Sequence, residues 1–172
     1  MKLDLSMLLD RTVHKIDINK AVDVDLSSNG MAKQRDLKLL RPAEIEGSIY
    51  NTDEGLFLDA KVTYNYSENC ARCLAEFENT IEVVLSGKIV EKNDENREQE
   101  SDEIIIYYNG DEVEIEEAIA STILLSLPMK SLCKEDCKGL CDMCGKDLNS
   151  EQCKCTKEEI DPRLAKLKDL FD

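Results

Sequence analysis

Eight cysteines, set as Cys70-Ala-Arg-Cys73, then Cys133, Cys137, Cys141 and Cys144, then Cys153-Lys-Cys155, constrain this 172-residue chain more than any other feature. Their oxidation state decides what they can hold together. The N-terminus, MKLDLSMLLDRTVHK, has neither the apolar core nor the small-residue cleavage site of a secretory signal, and acidic residues interrupt the later apolar runs. The expectation is a soluble cytoplasmic chain, and in that compartment thiols stay reduced and dense cysteine points to metal or redox chemistry.

Eight is twice four, and structural zinc takes four tetrahedral ligands, with a Cys-x-x-Cys turn offering two sulfurs about 2.3 Å from one ion. Cys141-Asp-Met-Cys144-Gly145 has the form of such a turn, because the glycine relieves the backbone where amides swing toward the thiolates. Cys153 and Cys155 follow the Asn149-Ser150 turn and are the nearest complement in sequence. Cys70 and Cys73 then need Cys133 and Cys137, a grouping that pins the end of a helix to a sheet. A different grouping joins Cys133 and Cys137 to Cys141 and Cys144 and leaves the other four to pair. Spacing alone leaves the grouping open, as it leaves the choice of zinc or iron.

Other uses of these thiols fit less well. Disulfides need an export signal. A thioredoxin-like centre at Cys70 and Cys73 needs a helix N-terminus to lower a thiol pKa, whereas this pair falls between strands. Cys137, Cys141 and Cys144 have the spacing of a radical-SAM cluster loop, but only 28 residues follow Cys144, too few for the barrel those enzymes use. The one histidine, His14, has no cysteine near it in sequence, and there is no glycine-rich phosphate loop. Carboxylates are too abundant for any pair to stand out. The expectation is a protein that is not an enzyme.

Apolar residues repeat every second position from Leu56 through Leu58, Ala60, Val62 and Tyr64 to Tyr66, the mark of a half-buried strand. Ile45, Gly47 and Ile49, followed by the turn Asn51-Thr-Asp-Glu-Gly55, make it the second arm of a hairpin. Further strands are expected from Ile81 to Ile89 and from Ile104 to Tyr108, in an antiparallel meander. Between them Glu91 to Glu103 carries seven acids and two bases and reads as a charged loop. Asp111 and Glu114 have the spacing of a capping pair. Ile115, Ile119, Ile123 and Leu127 then give one covering helix that Pro128 ends. Asp161-Pro162 opens a short last helix bearing Leu164, Leu167 and Phe171. The fold class is α+β, an antiparallel β-meander with a covering helix and a C-terminal zinc-binding lobe. The division expected is an α+β domain over 1–130 and a cysteine-rich lobe over 131–172.

The formal charge is −15, yet residues 1–41 carry a net of +2, so the remainder carries −17. Two tetrathiolate zinc sites would take the total to about −19. Nucleic-acid affinity rests largely on Lys and Arg neutralising phosphates, so such a surface favours a basic protein partner over RNA. The alternative is direct RNA binding through the one basic cluster, Lys33, Arg35, Lys38 and Arg41, which otherwise reads as a solvated loop or edge strand. The cysteine-rich segment itself mixes Lys with Asp and Glu and has no aromatic residue, unlike zinc lobes that read nucleic acid.

At Cys70-Ala-Arg-Cys73-Leu74, at Leu124-Leu-Ser-Leu-Pro128, across Cys137-Lys-Gly-Leu-Cys141-Asp-Met-Cys144-Gly145-Lys-Asp-Leu-Asn149 and at Asp161-Pro-Arg-Leu-Ala-Lys-Leu-Lys168, the sequence resembles the YceD family. Its members are described as large-ribosomal-subunit RNA accumulation proteins. The resemblance implies a non-catalytic role in accumulation of 23S rRNA during assembly of the large subunit. Its partner would be a ribosomal protein or an assembly particle, with any rRNA contact indirect. The genes of the family often neighbour one for a small ribosomal protein. Some members lack the C-terminal cysteines, so metal at all eight positions is not a general requirement of the family. This chain looks like the cysteine-rich form found in Gram-positive bacteria.

Overall fold

A computed structural model describes residues 2–10, 12–27, 29–92 and 104–155. The expected helix from Asp161, and all but the first two residues of the charged loop, lie outside these residues. The elements in chain order are β1 (Lys2–Asp4), α1 (Ser6–Leu9), β2 (Lys15–Val22), α2 (Gly30–Gln34), β3 (Lys38–Leu39), β4 (Ala43–Thr52), β5 (Gly55–Asn69), β6 (Glu76–Glu91), β7 (Ile104–Asn109), β8 (Glu112–Glu114) and α3 (Glu116–Ser126). They build a β-rich α+β fold on one eight-stranded sheet in the order β1-β8-β7-β6-β5-β4-β2, with β3 also against β5.

The central hairpin forms where the alternation is clearest. Leu56, Leu58, Ala60, Val62, Tyr64 and Tyr66 are all buried on one face of β5. The turn between Thr52 and Gly55 is closed by the Thr52 hydroxyl, which donates to the Gly55 carbonyl at 2.9 Å, and Gly55 takes a φ of +123° that only glycine adopts at low cost. Gly47 lies opposite Ala60, and a Cβ there would run into the β5 backbone, so the glycine permits the close approach of β4. Ile119 and Ile123 form the buried edge of α3, as their four-residue spacing requires, and the buried Ile115 and Leu127 flank its two ends. The Tyr64 hydroxyl, 2.8 Å from the Ser126 hydroxyl, ties that helix to β5.

Two expectations are corrected. The sheet is mixed, because β7 runs parallel to β6, with Gly87 opposite Ile104 and Glu91 opposite Tyr108. A tight turn would have forced the antiparallel arrangement, but the twelve residues between Glu91 and Ile104 are enough for a crossover. Glu112–Glu114 is a strand rather than the start of the helix. Val113, fully buried between Leu3 of β1 and Tyr108 of β7, gains more from the sheet than Asp111 and Glu114 would from capping. Helix α3 begins at Glu116 with no side-chain cap, and Glu116 and Glu117 in its first turn favour the positive end of its dipole. The N-terminal stretch, for which no element is expected, supplies both flanks of the sheet, β1 against β8 and β2 against β4, a long-range pairing that no local pattern announces.

Candidate metal centres

The end of β5 turns into β6 through Cys70–Cys73. The amide of Leu74 donates to the Cys70 carbonyl at 3.0 Å, and the Cys70 amide donates to the Ala75 carbonyl at 2.9 Å. At Cys141 the pattern repeats: Gly145 donates to Cys141 at 2.8 Å and Cys141 to Lys146 at 2.8 Å. Leu74 and Gly145 occupy the same left-handed conformation, at φ of +60° and +71°. Two Cys-x-x-Cys knuckles of one geometry therefore stand in this chain, and only the second has the glycine that the conformation favours.

The eight thiols are all free and fall into two quartets. Cys70, Cys73, Cys133 and Cys137 form centre 1, and Cys141, Cys144, Cys153 and Cys155 form centre 2, with the sulfurs of each within 4.8 Å of one another. Of the two groupings that spacing left open, the sulfurs adopt this one, and the alternative with Cys133 and Cys137 beside Cys141 and Cys144 is not the arrangement present. In centre 1 the sulfurs of Cys70 and Cys137 are 3.8 Å apart and those of Cys73 and Cys133 3.7 Å. In centre 2, Cys144 and Cys153 are 3.5 Å apart and Cys141 and Cys153 3.3 Å. A disulfide needs about 2.0 Å. A tetrahedral ion bound through bonds of about 2.3 Å sets sulfurs about 3.8 Å apart, so both quartets have close to the size a metal requires.

The electrostatics agree. Burial pushes the Cys70 thiol up, but the amides of Cys73, Cys133 and Arg72 outweigh it and bring the thiol down to about 6. Burial and the other three sulfurs push Cys133 up to about 12. In centre 2 the Cys144 and Met143 amides lower Cys141 to about 6, while Cys153 and Cys144 push Cys155 up to about 12. In each quartet one thiol thus ionises readily while another resists, a conflict that a divalent cation among four sulfurs removes. Both quartets can hold a metal ion.

The centres differ in setting. Cys70, Cys73 and Cys137 are buried, with Phe77, Leu132 and Leu140 packed about them, whereas Cys144 and Cys155 are exposed. Arg72, inside the first knuckle, holds the second half of centre 1: its Nη1 donates to the Cys137 carbonyl at 2.7 Å. Gly139, at φ +74°, lets the chain pass against the Arg72 backbone, and Leu140 donates to the Arg72 carbonyl at 3.2 Å. Asn149, in the loop between Cys144 and Cys153, reaches back to centre 1: its Oδ1 accepts from the Lys138 amide at 2.9 Å and its Nδ2 lies 3.5 Å from the Cys137 sulfur.

Sequence reading did not assign roles to Arg72 and Asn149, and it took Arg35 for a solvated cation. Arg35 follows α2 and forms a partly buried ion pair with the buried Glu68 of β5 at 2.7 Å. It also donates to the Ser131 hydroxyl at 2.6 Å and to the Pro128 carbonyl at 2.9 Å. Lys38 pairs with Asp36 at 3.2 Å. Of the basic cluster, then, one member is structural and another already has an acidic neighbour. His14 is exposed and belongs to neither quartet. A signal for Arg35 was available only in the isolation of Glu68 within an otherwise buried run of β5.

The sequence profile of a family described as "Large ribosomal RNA subunit accumulation protein YceD" matches residues 58–171, two thirds of the chain and all eight cysteines. The chain belongs to the YceD family. It is 28% identical over 128 residues to an uncharacterised protein of Mycobacterium tuberculosis, covering 74% of this chain and 61% of the relative. It is 24% identical over 130 residues to one of Mycobacterium leprae, covering 76% and 59%. The chain therefore spans about three fifths of the length of these relatives. A 50-residue stretch, 29% of this chain and 16% of the relative, is 36% identical to the Arabidopsis thaliana protein named large ribosomal RNA subunit accumulation protein YCED homolog 1, chloroplastic. No solved structure matches the chain. The family's description names RNA of the large ribosomal subunit. Among the described residues no helix is long and apolar enough to cross a membrane.

Proposed function

We propose that this protein is a non-enzymatic cytoplasmic factor that supports accumulation of 23S rRNA by contacting a ribosomal protein or an assembling large-subunit particle. The observation that carries the reading is the YceD match over residues 58–171, which takes in most of β5, all of β6 and α3, and both cysteine quartets. Zinc is the metal proposed at all eight cysteines, since two closed four-thiol sites suit a structural ion and leave no open ligand position for catalysis. When bound it would cross-link the lobe over residues 131–172 to the sheet of residues 1–130, and the chain's own residues would do the recognition. The charge of −15 supports a basic protein partner over direct rRNA contact. The pairing of Arg35 with Glu68 further weakens the case for RNA binding through Lys33 to Arg41.

Depletion in the host cell should lower 23S rRNA relative to 16S rRNA and leave precursor particles of the large subunit, and the tagged protein should recover such particles from lysate. Unchanged 23S rRNA on depletion, with no ribosomal protein recovered, would overturn the proposal.

A further inference from the structure

Strand β6 is sixteen residues long, but β7 lies beside only its last part, from Gly87 to Glu91. Along residues 76–86 no strand lies on the side away from β5 among the described residues. The direction of the backbone groups follows from the pairing. Cys70 donates to Ala75, and the register then runs unbroken from Asn69 opposite Glu76 to Leu56 opposite Ile89. In an antiparallel pair the bonded positions alternate, so the odd-numbered residues of β6 bond to β5. Glu76, Glu78, Thr80, Glu82, Val84 and Ser86 therefore turn their amides and carbonyls to the open edge.

A strand added there gains a ladder of main-chain hydrogen bonds, and its residues opposite these six would share their exposed face. On that face Glu76, Glu78 and Glu82 are exposed, and the pairing of Glu82 with Lys61 at 2.7 Å joins two half-exposed side chains that a competing cation can displace. On the opposite face Ile81 and Val83 are half-buried. A second copy of this chain is a poor occupant, because antiparallel pairing of two such edges sets glutamate near glutamate. The outer strand β2 mixes Lys15, Asp17 and Lys20 and shows no such single sign.

We infer that the open edge of β6 over residues 76–86 takes up an extended basic polypeptide segment as an added strand, with lysine or arginine opposite the glutamates and aliphatic residues on the other face. The inference rests on the proposed function in that it names the partner's chemistry.

The test uses the full metal-loaded protein and two blocked ten-residue peptides, one alternating Lys and Val and one alternating Glu and Val. Titration should show binding of the Lys peptide only, with slowed hydrogen exchange at the amides of Glu76, Glu78, Glu82 and Val84. Glu78→Pro removes an outward amide without breaking a bond to β5, and should weaken binding about tenfold, while Phe77 and Val83 keep their protection. Should the proline variant fail to fold, the triple variant Glu76→Lys, Glu78→Lys and Glu82→Lys should reverse the preference toward the Glu peptide. Equal binding of both peptides, or protection elsewhere than this edge, would sink the inference. If the variants that lose the peptide still recover large-subunit precursors, the edge is excluded and the family role stands. If the peptide binds the edge but depletion leaves 23S rRNA unchanged, the edge stands and the role falls.

Discussion

The two knuckles pose the same backbone demand with different residues. Gly145 and Leu74 both sit at positive φ, where an L-residue other than glycine costs about 1–2 kcal/mol. Gly145→Val should therefore weaken metal binding at centre 2 by about tenfold, read by competition with a chromophoric chelator. Leu74→Gly should leave affinity at centre 1 unchanged within about twofold, because relief of strain and loss of chain stiffness nearly cancel. The thiols allow a second check. In metal-free protein Cys70 and Cys141 lie at about 6, below the ordinary value of 9.0. Both are depressed groups, so the stability they lend is fully present above pH 9.0 and is lost as pH falls through about 6. Ultraviolet thiolate absorbance of the stripped, reduced protein should show two of its eight thiols ionising near pH 6. A single transition near pH 9 would contradict the amide arrangement described for the knuckles.

At the scale of elements the centres differ through the lengths of chain they close. Centre 1 joins positions 60 and 67 residues apart, whereas centre 2 joins positions 9 and 12 apart. Loop-closure entropy grows as the logarithm of length, so a link across 60 residues constrains the unfolded chain by about 1.4 kcal/mol more than one across 12. Replacing Cys70 and Cys73 by serine should therefore lower the midpoint of unfolding of the whole sheet, since it frees the β5–β6 turn from the segment after α3. Replacing Cys144 and Cys155 should leave that midpoint nearly in place and raise hydrogen exchange only within residues 141–155. Bound metal, counted by native mass spectrometry, should fall from two ions to one in each case. The strands and the helix of this region were legible because their side chains repeat with periods of two and four. The parallel entry of β7 was not, since a twelve-residue connection permits either direction and the choice rests on contacts made far away in sequence.

At the scale of the molecule, Arg35 is where three distant parts meet: the segment after α2, Glu68 on β5, and the stretch from Pro128 to Ser131 leading into centre 1. Glu68 is 2% exposed, and its Oε1 has no hydrogen-bond partner among the described residues, so Arg35 is the group there that offsets its burial. Arg35→Ala should cost about 3–5 kcal/mol in urea denaturation, because it leaves a buried carboxylate without its cation. Arg35→Met combined with Glu68→Leu should recover most of that loss. From sequence the arginine looked like any other exposed base, which is why the Lys33 to Arg41 cluster read as solvated. Local pattern was sufficient for the two knuckles, the buried face of β5 and the covering edge of α3, since each depends on residues within one or two turns of chain. Cysteine spacing narrowed the ligand sets but left two groupings, as any of the pairs could close a loop. The tertiary structure chose between them by bringing Cys133 and Cys137 beside the β5–β6 turn, and it gave the N-terminal strands their places at the sheet's two ends. Those choices depend on which surfaces meet across the whole chain, a quantity that no short stretch of residues contains.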